Sequence, residues 1–125
     1  MKKTLRFEIV TGVQSGYKKL NRDTNNYETI VGRLWQQNAK DLYDKNNIYI
    51  SAVIKPSYTV YHQEWGCPNG GERTVVITGV ANNEFIDDIE TWKDSVLTLA
   101  KDLKRQLKQS TMTCEFMETE LHYLK

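Results

Sequence analysis

Residues 48–80 read IYISAVIKPSYTVYHQEWGCPNGGERTVVITGV, and the fold turns on how this stretch is parsed. Ile48, Ile50, Ala52 and Ile54 alternate with Tyr49, Ser51, Val53 and Lys55. That is the period of two expected of a strand with two unlike faces. Pro56 has no N–H to give to a ladder, so it assigns this strand to a sheet edge or marks a bulge. The extended pattern resumes over Tyr58–Trp65, rich in aromatic and β-branched residues. Gly66-Cys67-Pro68-Asn69-Gly70-Gly71 is the clearest turn in the chain, because Asn-Gly and Gly-Gly tolerate positive φ. A further strand follows over Glu72–Val80. Its run Val75-Val76-Ile77 is apolar on both faces and suits the middle of a sheet. Residues 48–80 therefore read as one long hairpin.

Outward from the hairpin, each flank predicts a helix and then a strand. Upstream, Tyr27, Ile30, Val31, Leu34, Trp35 and Leu42 fall on one helical stripe, predicting a helix from about Asn26 to Asp44. Asn25 with Glu28 reads as its N-cap with a capping-box partner. Downstream, Ile89, Trp92, Val96, Leu99, Leu103 and Leu107 form a second stripe. Asp87 with Glu90 reads as its cap signature, and lysines and Arg105 gather at its negative end. At the start of the chain, Leu5, Phe7 and Ile9 alternate with Arg6 and Glu8, predicting a strand over Thr4–Thr11. At the other end, residues 111–123 predict a last strand. Met112, Cys114 and Phe116 share one parity; Met117, Leu121 and Tyr123 share the other. The switch indicates either a bulge or a strand covered on both faces in turn.

The order β-α-β-β-α-β, with one apolar stripe per helix, defines the fold class. It is α+β, a ferredoxin-like βαββαβ sandwich with a four-stranded antiparallel sheet and two helices on one face. No repeat, linker or low-complexity tract interrupts the 125 residues, so residues 1–125 read as one domain. Hydrophobic residues make up 39% and charged residues 26%, which excludes a disordered chain. The net charge of +1 argues against nucleic acid as a partner. No apolar run is long enough to span a bilayer, and Arg6 and Glu8 interrupt any signal-peptide core. With two cysteines, Cys67 and Cys114, the expectation is a cytoplasmic protein with free thiols and no membrane partner.

Topology places the loop after the first strand, the hairpin tip and the turn into the last strand at one end of the sheet. The hairpin carries His62, Glu64, Trp65 and Arg73 to that end. A histidine, a carboxylate, an aromatic ring and a guanidinium are parts from which an anion site or acid–base chemistry can be built. Lys18 or Arg22 would add charge for an anionic ligand. The plainer reading is cross-strand pairing around a turn. No metal site is expected, since His62, Cys67, Cys114 and His122 lack ligand spacing. No cofactor is expected either: no glycine pattern matches a phosphate loop or a dinucleotide fingerprint. Cys114 reads as a small core residue, and Cys67 as an incidentally exposed loop residue.

Two functions emerge. The first is a non-enzymatic oligomeric interaction, regulatory or accessory protein, a homo-oligomer and most simply a dimer. It would associate through the second face of the sheet, with Tyr58, Val60, Met117, Leu121 and Tyr123 as interface candidates. The alternative is a small-molecule binding protein or small enzyme with its site at the 62–73 hairpin end.

Overall fold

A computed structural model describes residues 2–13 and 26–125. Its elements are β1 (Lys2–Gly12), α1 (Tyr27–Asn46), β2 (Val53–Thr59), a 3-10 turn (Gln63–Trp65), β3 (Glu72–Val80), α2 (Ile89–Gln106) and β4 (Met112–Leu121). The described residues form one antiparallel four-stranded sheet in the order β2-β3-β1-β4. This is the ferredoxin-like arrangement expected. β1 and β3 occupy the middle, and β2 with Pro56 lies at an edge, where its missing N–H costs least.

Both helices cover the same face. Phe7, Ile9, Val75 and Ile77 are fully buried there, under Val31 and Trp35 of α1 and Trp92, Val96, Leu99 and Leu103 of α2. The Phe7 ring stacks on Trp35 with centroids 5.7 Å apart and meets Trp92 at 5.9 Å. This packing depends on Gly79, the partner of Phe7 across the ladder. A Cβ on Gly79 would lie 2.5 Å from Phe7 Cε2 and 2.6 Å from the Ser51 carbonyl oxygen.

The boundaries depart from the sequence reading where tertiary contacts override pattern. β2 starts at Val53, not near Ile48. Residues 48–52 run beneath α1 instead, with Ile50 buried and its carbonyl accepting the Trp35 indole N–H at 2.9 Å. β2 also stops at Thr59, so residues 60–71 are a long connection and not strand. The N-cap of α1 is Asn26, which makes no side-chain cap bond; Asn25 lies outside the described residues. The expected Asn25–Glu28 capping box thus falls outside the described residues, and Glu28 Oε2 is buried with no hydrogen-bond partner among those described. At α2 the cap is Asp88, whose carboxylate accepts the Glu90 and Thr91 N–H groups, not Asp87. β4 carries no bulge: Phe116 pairs with Phe7 and Met117 with Arg6 in unbroken register. Its apolar parity changes face: Phe116 lies on the helix side, and Met117 lies exposed on the open side.

Candidate functional site

The registers sort the sheet end into two sides. Tyr58 pairs with Arg73, and Arg73 shares its parity with buried Val75 and Ile77, so both lie on the helix side. The Arg73 guanidinium there sits 5.0 Å from the ring centre of Tyr27, the first residue of α1. The opposite side is built from alternate residues of all four strands. Thr59 stands opposite Glu72, Thr74 opposite Ser57 and Gly12, and Val10 opposite Val76 and Thr113.

Val10, Gly12, Thr59, Glu72, Thr74 and Thr113 of this side floor a groove of about 1110 Å3 at the hairpin end. Tyr61, Trp65 and Pro68 of the connection form one wall. The turn between α2 and β4, from Lys108 to Thr111, forms the other, and Tyr58 and Arg73 stand at its rim. A volume of this order suits a ligand of cofactor size. The Gln109 carboxamide occupies the place a Cβ on Gly12 would take, so the missing side chain there lets the second wall close over β1.

Cys67 holds the first wall, and this corrects its reading as an exposed loop residue. It is buried. Its Sγ accepts the Tyr61 N–H at 3.5 Å and lies 3.3 Å from the Pro68 carbonyl oxygen as donor. Gly71 closes the same loop with φ of 105°, and a Cβ there would come within 3.0 Å of the Thr59 carbonyl oxygen. Cys114 lies across the sheet and is only half-buried; burial pushes its thiol pKa up, helped by the charge of Glu115. Both cysteines are free thiols.

Of the four ligand-binding candidates, the structure brings Trp65 and Arg73 to the groove. His62 and Glu64 are not among the described lining residues. His62 is the N-cap of the 3-10 turn, its Nδ1 accepting the Glu64 N–H at 3.0 Å, and its ring lies 5.7 Å from that of Trp65. Lys18 and Arg22 lie outside the described residues. The five interface candidates do not form one surface. Tyr58 is on the helix side at the hairpin end and Val60 follows β2. Met117 and Leu121 are on the open side toward the other end, and Tyr123 packs edge-on against Phe85. Sequence reasoning passed over Thr74 and Gln109: a threonine in a strand and a glutamine after a helix carry no signal of their own.

The fold and groove define a small α+β protein with an open groove at one end of an antiparallel sheet. Residues 2–125 match the family model described as SAM lyase, so the chain belongs to that family. Two solved structures resemble it. One is a phage SAM lyase in its apo state, with 17% identity, a TM-score of 0.64, and 93% of this chain and 81% of that chain covered. The other is a phage SAM lyase in complex with S-methyl-5'-thioadenosine, with 19% identity, a TM-score of 0.56, and 92% and 81% covered. A search of curated proteins finds no match. The family overturns the first of the two functional readings: a non-enzymatic interaction protein is not what this chain is related to. Nothing in the strand pattern could have shown this, because this sequence carries no short motif of the kind that announces a phosphate loop or a metal site. Among the described residues, no helix is long and apolar enough to cross a membrane.

Proposed function

We propose that this protein cleaves S-adenosylmethionine and releases S-methyl-5'-thioadenosine from the groove at the hairpin end. The observation that carries the reading is the match of residues 2–125 to the SAM lyase family. The complex of a similar protein with S-methyl-5'-thioadenosine supports it. That molecule is S-adenosylmethionine without its aminobutyrate fragment. Its release breaks the bond between the sulfonium sulfur and Cγ, and the electron pair stays on sulfur. A lyase adds no water, so Cγ regains its fourth bond from within the departing fragment.

The groove suits these charges. Tyr61 and Trp65 offer ring faces on which an adenine stacks. Glu72 is the one carboxylate among the described lining residues and faces a substrate bearing two positive centres. Arg73 and Lys108 offer the substrate carboxylate a partner. The positive charge on sulfur vanishes as the bond breaks. Apolar ring surface favours the neutral thioether over the cation relative to water, which lowers the barrier by differential binding. A cytoplasmic location fits this reading, supported by the two free thiols and by a substrate of intracellular metabolism. The open sheet face beyond the groove, with Met117 and Leu121, is its candidate contact with a second copy.

Incubation of the purified chain with S-adenosylmethionine, followed by chromatography for S-methyl-5'-thioadenosine, tests the reading. Accumulation above the spontaneous rate, reduced in Trp65→Ala and Glu72→Gln, is expected. A wild-type chain that releases none overturns it.

A further inference from the structure

His62 caps the turn that carries Trp65 to the groove wall. Its carbonyl accepts the Trp65 N–H at 3.0 Å, and its Nδ1 accepts the Glu64 N–H at 3.0 Å. Its ring lies against that of Trp65, with centroids 5.7 Å apart. Two other turns in the chain use the same two-residue bond. Asn82 Oδ1 accepts the Glu84 N–H at 3.0 Å, and Asp88 Oδ1 accepts the Glu90 N–H at 3.1 Å. Nδ1 and Oδ1 are both bonded to Cγ, so the imidazole stands where the oxygen of an ordinary cap residue stands.

The imidazole differs from those oxygens in one respect. An amide oxygen is always an acceptor, whereas an imidazole nitrogen accepts only while it carries no proton. In the imidazolium both ring nitrogens are donors. Histidine is the side chain whose charge changes between about pH 5 and 8. A protonated His62 would turn an N–H toward the N–H of Glu64, and the cap would be lost. The turn would then rest on two backbone bonds, Trp65 N–H to the His62 carbonyl and Gly66 N–H to the Gln63 carbonyl. The Trp65 ring is largely exposed, so packing does little to hold it in their place.

Among the described residues no ion pair holds the His62 imidazole. Glu64 stands on its own turn, Tyr61 and Cys67 flank that turn, and Glu72, Arg73 and Lys108 stand around the groove. His122, the other histidine of the sequence, follows the far end of β4 and is bonded to Glu120.

We propose that His62 is the positioning residue of Trp65 and makes ligand binding at this wall pH-dependent, firm above the histidine range and loosened as the imidazole takes up a proton. The inference rests on the groove being the S-adenosylmethionine site.

Calorimetric titration with S-methyl-5'-thioadenosine at about pH 7.5 and about pH 5.5 tests this, run beside turnover of S-adenosylmethionine. The wild-type chain should bind about fivefold more weakly at the lower pH, the factor to which one lost cap corresponds. His62→Asn puts a non-titrating acceptor on the same Cγ, and its affinity should hardly differ between the two pH values. His62→Ala has no cap at either pH, and should bind at both as weakly as the wild-type chain binds at the lower one. Every other titrating group is common to the three chains. A wild-type affinity that does not change with pH, an equal change in His62→Asn, or full affinity in His62→Ala at the higher pH overturns the role of His62. Wild-type turnover beside any of these leaves the enzymatic reading standing. Absence of wild-type turnover and of any binding overturns both.

Discussion

Trp65 leaves 78% of its surface in water, so the fold gains little from its ring. Its place on the groove wall gives it a second use. Trp65→Ala should weaken binding of S-methyl-5'-thioadenosine about tenfold, since stacking on a tryptophan contributes on the order of 1–3 kcal/mol. Thermal unfolding of the unliganded chain should barely change. A large drop in melting temperature would mean that the ring supports the loop instead. Gly79 is the opposite case. It touches no ligand, yet a methyl group there would collide with both the Phe7 ring and the Ser51 carbonyl oxygen. Gly79→Ala should lose about 1–3 kcal/mol in urea denaturation, the usual cost of overpacking a filled core. At this scale the sequence was legible only in part. Trp65 and Arg73 stood out because aromatic and cationic side chains near a turn are conspicuous. Thr74 and Gln109 did not, because their importance comes from register: Thr74 matters only once Ser57, Thr59 and Gly12 are known to be its neighbours.

Among the elements, α2 was the easiest to read and α1 the harder. An apolar stripe and a crowd of acids mark α2 without any tertiary information, and its cap is real, displaced by one residue to Asp88. The Thr91 hydroxyl and the Thr91 and Glu90 N–H groups hold the Asp88 carboxyl below its ordinary pKa, the hydroxyl contributing most. The sign of the pH effect follows. A carboxylate whose pKa is lowered by folding contributes stability above its unfolded value, and loses it as the pH falls through the folded value. Asp88→Ala should therefore lower the urea midpoint at neutral pH, and the gap to wild type should narrow below about pH 4, the unfolded range of an aspartate. A gap constant down to pH 2 would show that the cap works without its charge. The start of β2 was illegible for a different reason. Residues 48–52 alternate like a strand, but the Trp35 indole captures the Ile50 carbonyl and the segment packs under α1. A period of two reports two unlike faces and not the partner that covers them. The Tyr58–Trp65 run fails similarly: Cys67 gathers the Tyr61 N–H and the Pro68 carbonyl into a loop that propensity alone would have drawn straight.

On the scale of the whole molecule, the groove belongs to no single element. Its floor draws on β1, β2, β3 and β4, and its walls on two connections that the β-α-β-β-α-β order brings to one end. The sequence made that convergence legible as topology, while the proposed function rests on family membership and not on any motif. A ligand seated across all four strands binds the folded chain and not the unfolded one. It therefore stabilises the fold by RT ln(1 + [L]/Kd), about 2.7 kcal/mol at a hundredfold excess over Kd. For a domain of this size the melting temperature should rise by several degrees. S-Methyl-5'-thioadenosine should produce that rise in the wild-type chain. At the same ligand concentration the rise in Trp65→Ala should shrink by about 1.4 kcal/mol for each tenfold loss of affinity. Gly79→Ala, whose defect lies in the core beneath the helices, should start from a lower melting temperature and show the full wild-type increment. If the two variants exchanged these behaviours, the ligand would not be resting on the groove wall, and the binding site would have to be sought on the helix side of the sheet.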